Sequence, residues 1–349
     1  MFELKSNTHY LFDLVFKDKK FIFLRNSNIF ITGATGFLGK WLIEALIYLN
    51  KKHKLNITLS LLIRNKKFPL KLLPEINKSK STNIKIILGD IRNFIFPNDK
   101  IDHIIHLAST NLIKSAVIKS NSLDIIVNGT KRIIELSRAV DASSITYLSS
   151  GAVYGKNCPR RLGWKENDKT IDLFDNNIDF YAKAKKLAEN LLIKKFYNLE
   201  KLQTLNIFRS FSFGGSGFNE DNSYAFDSFI KDRIANKIIR LDSDGNSKRN
   251  YMHPIDLSNW ILKGLNFKEI NIVNTGINTS YKLKNLAANI STYKYNSLSN
   301  VTVELGKINK TENYIPNISK ANQLGLKSYI PLELQIEDSL NFHYSRNLL

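Results

Sequence analysis

The stretch that decides the fold is Ile29-Phe30-Ile31-Thr32-Gly33-Ala34-Thr35-Gly36-Phe37-Leu38-Gly39, an apolar β-rich run that passes into a glycine-punctuated turn. An amphipathic helical pattern follows it from Lys40 to Asn50. The first two glycines lack the Cβ that would block a tight turn and the close approach of a pyrophosphate, and the third lets the helix pack on the strand. The unpaired amides at the start of this helix favour a bound phosphate. The stretch therefore predicts a dinucleotide-binding turn, with glycines placed there for packing alone as the alternative.

Further apolar runs alternate with helical or polar connectors downstream of this turn. β-rich runs occupy residues 56–63, 84–88, 103–109 and 144–150, and a helical pattern extends from about 115 to 139. Together with the first strand, this makes five strands over 150 residues, which is typical of a doubly wound, Rossmann-type parallel sheet. We therefore predict an α/β fold with a smaller C-terminal substrate-binding lobe.

Polar and small residues stand at the carboxyl ends of these predicted strands, where open parallel sheets bind ligands. Arg64 ends the second strand, where it can pair with a ribose 2′-phosphate; this favours NADP over NAD, unless the arginine is merely solvated. Asp90 follows the third strand and either accepts a hydrogen bond from an adenine amine or caps its own loop. His106 is interpreted as a buried structural histidine, and the small residues after it leave room for a nicotinamide ring.

A second motif, Ser149-Ser150-Gly151-Ala152-Val153-Tyr154-Gly155, closes the fifth strand about thirty residues before a helix that carries Tyr181 and Lys185. These two residues are four apart and share one helical face. A free phenol has a pKa of about 10 and is a poor base at neutral pH, whereas a neighbouring ammonium favours its ionised form. We therefore predict that Ser150 holds a substrate oxygen, that Tyr181 transfers its proton, and that Lys185 tunes Tyr181 and holds the nicotinamide ribose. Without the upstream glycine turn, such a pair would indicate no function.

With these motifs the chain resembles the extended short-chain dehydrogenases/reductases, in the NAD(P)-dependent epimerase/dehydratase group that acts on nucleotide sugars. The resemblance extends from about residue 28 to 342 and is carried by the glycine turn, Gly89-Asp90-Ile91-Arg92, His106-Leu107-Ala108, the serine motif and Tyr181-x-x-x-Lys185. It implies a cofactor site formed by Gly33, Thr35, Gly36, Phe37, Leu38, Gly39, Arg64, Asp90, Ile91, Leu107, Ala108, Ser109, Tyr181 and Lys185.

The resemblance also implies a substrate site and a domain division. Arg249 stands where the family places an arginine against the substrate pyrophosphate, a task that suits a planar guanidinium, although a solvated loop arginine is the alternative. Ser150 is the other implied substrate contact, no metal ligand is implied, and Asp256 is expected to cap the helix that follows it. The implied units are an N-terminal extension at 1–27, a Rossmann domain at 28–210 plus roughly 239–275, and a substrate-binding lobe at 211–238 and 276–349.

The reaction is less sharply indicated than the family. Family dehydratases and decarboxylases tend to carry an acid immediately before Val-Tyr-Gly, and this chain has Ala152 there, which disfavours dehydration. A 4-epimerase and a 4-keto-sugar reductase share the remaining residues: the serine motif resembles that of epimerases, while Arg64 favours reduction by NADPH. A dehydratase or decarboxylase with displaced acids and a catalytically idle nucleotide-binding scaffold are the alternatives, and the intact Ser150, Tyr181 and Lys185 argue against idleness.

Composition limits the partners. The chain has 349 residues, of which 43% are apolar, and its single cysteine, Cys158, excludes a disulfide framework and fits the cytoplasm. The net charge of +20 is scattered rather than arranged in a stripe interleaved with aromatic residues, so we expect no nucleic-acid partner. Neither a signal peptide nor an uncharged run of 18 residues is found, so we expect no membrane contact. By resemblance, helices at about 115–138 and 181–198 would form a homodimer.

Overall fold

The computed structural model describes residues 9–17, 21–64, 82–109, 116–155, 163–175, 177–218, 224–296, 298–308 and 311–347; Cys158 and the connector at 65–81 lie outside these ranges. The described strands are β1 (Asn28–Thr32), β2 (Thr58–Ile63), β3 (Asn83–Leu88), β4 (His103–His106), β5 (Ser144–Ser150), β6 (Thr204–Ser210), β7 (Ser212–Phe213), β8 (Ile239–Ser243), β9 (Lys248–Arg249), β10 (Tyr251–Met252), β11 (Glu269–Asn274), β12 (Tyr281–Lys282) and β13 (Val303–Lys307). The described α-helices are α1 (His9–Val15), α2 (Phe37–His53), α3 (Ala116–Ala139), α4 (Phe180–Phe196), α5 (Ala225–Ile234), α6 (Pro254–Gly264), α7 (Leu283–Thr292), α8 (Ser319–Gln323) and α9 (Leu332–Asn347), and short 3₁₀ helices occupy Ile22–Leu24 and Gly151–Tyr154.

A parallel sheet forms the centre of the fold, and within the described ranges it has seven strands in the order β11-β6-β5-β4-β1-β2-β3. The chain leaves β1 to build β2 and β3 on one side and then returns to build β4 on the other side. The order therefore reverses between β1 and β4, and a crevice opens there at the carboxyl ends of the strands. The predicted α/β, Rossmann-type doubly wound sheet is confirmed.

Both faces of the sheet are covered by helices, as a parallel sheet requires. On one face, Ile29 and Ile31 of β1 pack with residues of α2 and α6, among them Leu46 and Trp260. On the other face, Phe30 packs into a cluster with residues of α3 and α4. Successive side chains of a strand point to opposite faces, so the apolar run of β1 contributes side chains to the cores on both faces of the sheet.

A smaller group of elements lies beyond the carboxyl ends of the strands. Helices α5, α7 and α9 pack around a cluster that includes Phe226, Leu286 and Ile336. Strand β8, which the sequence analysis grouped with the Rossmann domain, pairs in parallel with β13 and contributes Ile239 and Leu241 to this cluster. The short pairs β7·β10 and β9·β12 lie in the same half of the chain.

Helix α6 begins in a way that the sequence analysis did not predict. Its N-cap is His253, whose Nδ1 accepts a hydrogen bond from the amide of Ile255 at 3.2 Å. Asp256, which we expected to be the cap, lies inside the first turn and is buried. Its carboxylate accepts hydrogen bonds from the amides of Tyr329 and Ile330 at 2.9 and 3.0 Å, and burial raises its pKa to about 6. The prediction for Asp256 was wrong because its partners lie more than 70 residues away in sequence.

Candidate active site

The glycine turn between β1 and α2 is closely packed against the mouth of β4. Gly33 has a φ of +70°, and a Cβ at this position would lie 2.7 Å from the amide nitrogen of Ala108. A Cβ at Gly39 would lie 2.2 Å from the carbonyl oxygen of Gly33. Gly36 is the N-cap of α2, and among the described residues no side chain caps this helix. Its first amides are therefore available to an anion, which fits a dinucleotide pyrophosphate.

His106 fixes the mouth of β4 beside this turn. Its Nδ1 lies 2.7 Å from the hydroxyl of Thr32, which also accepts a hydrogen bond from the amide of Ala108 at 3.1 Å. The ring is buried, and burial lowers its pKa to about 3, so the imidazole is neutral. His106 thus holds the strand end from which Leu107, Ala108 and Ser109 line the crevice.

Three elements bring the predicted catalytic side chains together. Ser150 ends β5, and its Oγ accepts a hydrogen bond from the amide of Ala152 at 3.2 Å. Asp179 caps α4 through the amide of Tyr181 at 2.9 Å, which places Tyr181 at the start of this helix. Burial raises the pKa of Tyr181 to about 12, and the hydroxyls of Ser150 and Ser109 near its phenol act in the opposite direction. The sequence predicted a lowered pKa; the net direction is opposite because the phenol is removed from water.

Lys185 lies one helical turn below Tyr181 and is 1% exposed. Its Nζ donates a hydrogen bond to the carbonyl oxygen of Leu148 at 2.7 Å and lies 5.7 Å from the centre of the Tyr181 ring. Burial lowers the pKa of Lys185 to about 7, and the negative charge of Glu189 opposes this shift. The lysine is thus fastened to β5 beneath the tyrosine.

Replacing Lys185 with methionine is expected to raise the melting temperature at about pH 6 and to change it much less at about pH 10. The pKa of Lys185 is lower in the folded chain than in the unfolded chain, so below about pH 7 folding carries the full cost of a buried charge. This cost disappears as the pH rises through the unfolded value of about 10.4. Melting curves at the two pH values measure the difference. Lys194→Met, exposed on the same helix, is the control, and an equal effect at both pH values would contradict the prediction.

A buried ion pair joins the serine motif to α4. Nε and Nη2 of Arg209 donate hydrogen bonds to the two carboxylate oxygens of Glu189 at 2.9 and 2.7 Å, and both side chains are almost completely buried. Ser149 donates a hydrogen bond to the same carboxylate at 2.6 Å. Nη1 of Arg209 donates to the phenol oxygen of Tyr154 at 2.8 Å, and this phenol donates to the side-chain oxygen of Asn274 at 2.7 Å. The ion pair therefore holds the turn after Ser150 against the helix that carries Tyr181.

Tyr314 completes the site from the smaller group of elements. Its phenol oxygen lies 3.3 Å from Oγ of Ser150 and donates to the carbonyl oxygen of Ser210 at 3.3 Å. A Cβ at Gly151 would lie 2.6 Å from the ring of Phe211 and 2.8 Å from the phenol oxygen of Tyr314. Position 151 therefore has no space for a side chain. Burial raises the pKa of Tyr314, so its phenol is neutral.

Arg249 lies next to Tyr314 on β9. Its Nη1 donates hydrogen bonds to the carbonyl oxygens of Lys248 and Glu312, and its charge lowers the pKa of Tyr314. Arg249 is half-buried, with one of its nitrogens held by backbone. The structure therefore brings the predicted substrate arginine to the same side of the crevice as Ser150.

Asp90 and Arg64 lie further along the same edge of the sheet. Asp90 accepts hydrogen bonds from the backbone amide of Arg92 at 3.0 Å and from its Nε at 2.8 Å, and these contacts lower the pKa of Asp90. This is the loop-capping alternative, since the carboxylate is engaged by its own loop. The exposed Arg64 also lowers the pKa of Asp90, which places its positive charge at this end of the crevice.

Comparison with known proteins decides the family. A family model described as the NAD dependent epimerase/dehydratase family matches residues 29–276, which is most of the chain. The chain belongs to this family. The resemblance found in the sequence is therefore confirmed, and the epimerase/dehydratase match covers the glycine turn, the serine motif and the Tyr181–Lys185 pair.

Individual relatives and solved structures agree with the family. A Methanocaldococcus jannaschii protein named "Putative UDP-glucose 4-epimerase" is 27% identical over 91% of this chain and 99% of its own length. The structure of the UDP-N-acetylglucosamine 4-epimerase from Methanobrevibacter ruminantium M1 with UDP-N-acetylmuramic acid has a TM-score of 0.76 at 17% identity, covering 92% of this chain and 99% of the other. The UDP-glucose 4-epimerase of Bifidobacterium longum with NAD⁺ and UDP has a TM-score of 0.72 at 17% identity, with coverage of 92% and 99%. At these identities the structures show the shared fold.

Sequence reasoning missed Tyr314 and Arg209. Arg209 gave a weak local signal, a charged residue within the apolar run of β6. Tyr314 gave none, because it reaches the site through a bridge to Arg249 that spans 65 residues.

In the described part of the chain, none of the helices combines the length and apolar character that a membrane span requires.

Proposed function

We propose that this family member is a nucleotide-sugar 4-epimerase that uses a retained NAD and inverts the ring carbon C4 through a transient ketone. The observation that carries the proposal is the meeting of Ser150, Ser109 and Tyr181 at the crevice, with Lys185 buried below the tyrosine. This is an acid–base group beside a cradle for a dinucleotide.

The side chains have separate tasks in this reaction. When bound, the oxidised nicotinamide would supply a reversible hydride acceptor for C4, and its positive charge would favour the ionised phenol of Tyr181. Tyr181 accepts the proton of the 4-hydroxyl as the C4–H bond breaks and the carbonyl forms. Once the keto sugar has rotated to present its other face, Tyr181 would return this proton to the oxygen as C4 regains a hydride on that face, so no net oxidation would result. Ser150 holds the reacting oxygen by a hydrogen bond.

The packing around Gly151 supports epimerisation over dehydration. Eliminating water requires a further acid near the tyrosine, which the family's dehydratases carry immediately before Val-Tyr-Gly. Here Ala152 occupies that position, and the neighbouring Gly151 is closed by Phe211 and Tyr314. The half-buried Glu166 accepts a hydrogen bond from the amide of Asn274 at 2.8 Å. These contacts disfavour an acid for the dehydratase or decarboxylase reaction in the serine motif.

Named relatives support the substrate class. The Methanocaldococcus jannaschii protein and the two solved structures carry UDP-linked sugars in their names or titles. We therefore propose a UDP-linked hexose as the substrate of this chain, with Arg249 beside the diphosphate.

Reduction of a 4-keto sugar by NADPH is the second candidate, and Arg64 favours it. The guanidinium is exposed at the end of β2 and its charge lowers the pKa of Asp90, so it would be available to pair with a ribose 2′-phosphate. The two functions differ in whether the cofactor is consumed.

Assays with a panel of UDP-, GDP-, CDP- and dTDP-linked sugars test the proposal. We expect NMR spectra to show the C4 epimer of a UDP-hexose, with no net change in the absorbance of reduced nicotinamide. Consumption of NADPH with a 4-keto sugar, and no epimerisation, would instead establish the reductase. Tight nucleotide binding without turnover in either assay would establish a catalytically idle scaffold and overturn both candidates.

The assembly follows the same proposal. Helices α3 and α4 pack against each other on one face of the sheet. We propose a homodimer through their outer sides, which sedimentation analysis measures directly. A cytoplasmic location and the absence of a nucleic-acid partner stay predictions from the sequence.

A further inference from the structure

The N-terminal segment, to which the sequence analysis gave no role, precedes the family match and packs on the Rossmann helix α2. Phe12 and Phe16 are almost completely buried, and Phe12 stacks on Trp41 of α2 with ring centres 5.9 Å apart. Asp13 accepts hydrogen bonds from Tyr48 and, at 2.8 Å, from Lys52, both also on α2. Helix α1 therefore fixes the outer side of the Trp41 indole.

The other side of Trp41 contacts the segment Phe211–Phe218, which follows β6. Nε1 of Trp41 donates a hydrogen bond to the carbonyl oxygen of Ser216 at 3.0 Å. The indole also lies edge-on to the ring of His253, with centres 4.8 Å apart. Trp41, Ser216 and His253 are each at most 1% exposed, so this contact is protected from water.

The same segment is held from its far side by α9. The carboxylate of Asp338 accepts a hydrogen bond from the amide of Ser216 at 2.8 Å and lies 3.2 Å from Nε2 of His253. A Cβ at Gly215 would lie 2.5 Å from the His253 ring, so the backbone approaches this ring closely. Ser216 is thereby clamped between Trp41 and Asp338.

Both ends of the segment reach the active site. At one end, Phe211 lies against Gly151 and has its ring centre 4.6 Å from that of Tyr314, the side chain that contacts Ser150. At the other end, Phe218 stacks at 4.2 Å on Phe37, the first residue of the helix after the glycine turn. A displacement of Ser216 would therefore shift the side chains at the substrate side of the crevice.

We propose that helix α1 acts through Trp41 to position the segment Phe211–Phe218, and that Phe12 and Trp41 are positioning residues for substrate binding. The proposal rests on the proposed function as far as the substrate is a nucleotide sugar. The N-terminal extension would then contribute to substrate binding, although this extension contacts none of the reacting groups.

The test uses the full-length chain with Phe12→Ala and the milder Trp41→Phe, which keeps an aromatic ring and removes the hydrogen bond to Ser216. We expect amide hydrogen exchange at Ser216 to be about tenfold faster in both variants. Trp41→Phe removes one buried hydrogen bond of Ser216 directly, and Phe12→Ala removes the ring that holds the indole in place for this bond. We expect KM for the UDP-hexose to rise by a similar factor, with kcat and the affinity for NAD changed less than about twofold. Ile22→Ala, 56% exposed in the same N-terminal segment, is the control and is expected to leave all four quantities unchanged.

Unchanged exchange at Ser216 together with unchanged KM, in variants that merely melt at a lower temperature, would overturn the inference and leave α1 a purely stabilising element. The exchange measurement needs no turnover. If the wild-type chain shows no activity, the proposed function fails. Exchange at Ser216 then decides the inference by itself: faster exchange in both variants supports it, and unchanged exchange overturns it.

Discussion

Replacing Tyr181 with phenylalanine is expected to lower kcat by about 10² to 10⁴-fold, the usual contribution of a positioned acid–base group. The substitution removes the phenol oxygen that faces Ser150 and Ser109 and keeps the ring that packs at the start of α4. The phenol of Tyr314 does not replace it, because this phenol donates its proton to the carbonyl oxygen of Ser210. Single-turnover kinetics with the UDP-hexose measure the loss.

The binding of NAD is the internal control for this prediction. The glycine turn lies between β1 and α2 and does not involve the phenol, so the affinity for NAD should change less than about threefold. Tyr197→Phe at the C-terminal cap of the same helix removes an exposed phenol and should leave kcat unaltered. A Tyr181→Phe variant with wild-type turnover would remove Tyr181 from the mechanism.

The architecture was accessible from the sequence because its signals are local. The apolar run of β5 is buried along its whole length, so its observed bounds, Ser144–Ser150, are those that the pattern predicts. Helix α2 begins at Phe37 rather than Lys40, since Gly36 of the turn is itself the N-cap. The spacing of Tyr181 and Lys185 on one helical turn likewise needed no tertiary information.

The parts of the site that the sequence did not reveal depend on contacts between distant segments. Tyr314 meets Ser150 across 164 residues, and Asp256 binds amides more than 70 residues away. The direction of the pKa of Tyr181 also depended on tertiary structure, because burial outweighs the nearby hydroxyls. Local patterns predict where a side chain stands along the chain, whereas its solvation is decided by the elements that close over it.

Replacing Glu189 with glutamine is expected to lower the free energy of unfolding by about 3 to 5 kcal/mol, because it leaves the buried guanidinium of Arg209 without a counter-charge. Glutamine has nearly the size of glutamate and still offers an oxygen to Ser149, so the change isolates the charge. Urea unfolding followed by tryptophan fluorescence measures it. Turnover should fall as well, since the pair holds the turn after Ser150 against α4.

A double-mutant cycle separates the cost of an orphaned charge from the loss of packing. Glu189→Gln combined with Arg209→Met removes both charges of this ion pair, so the double variant should be clearly more stable than the sum of the single effects predicts. Glu135→Gln provides the comparison in an exposed pair: Glu135 lies 2.8 Å from Arg132 and is 58% exposed, so its loss should cost at most about 1 kcal/mol. Suppose Glu189→Gln lowered the free energy of unfolding no more than Glu135→Gln does. The guanidinium of Arg209 would then have to reach water, and the ion pair would not hold the serine motif against α4.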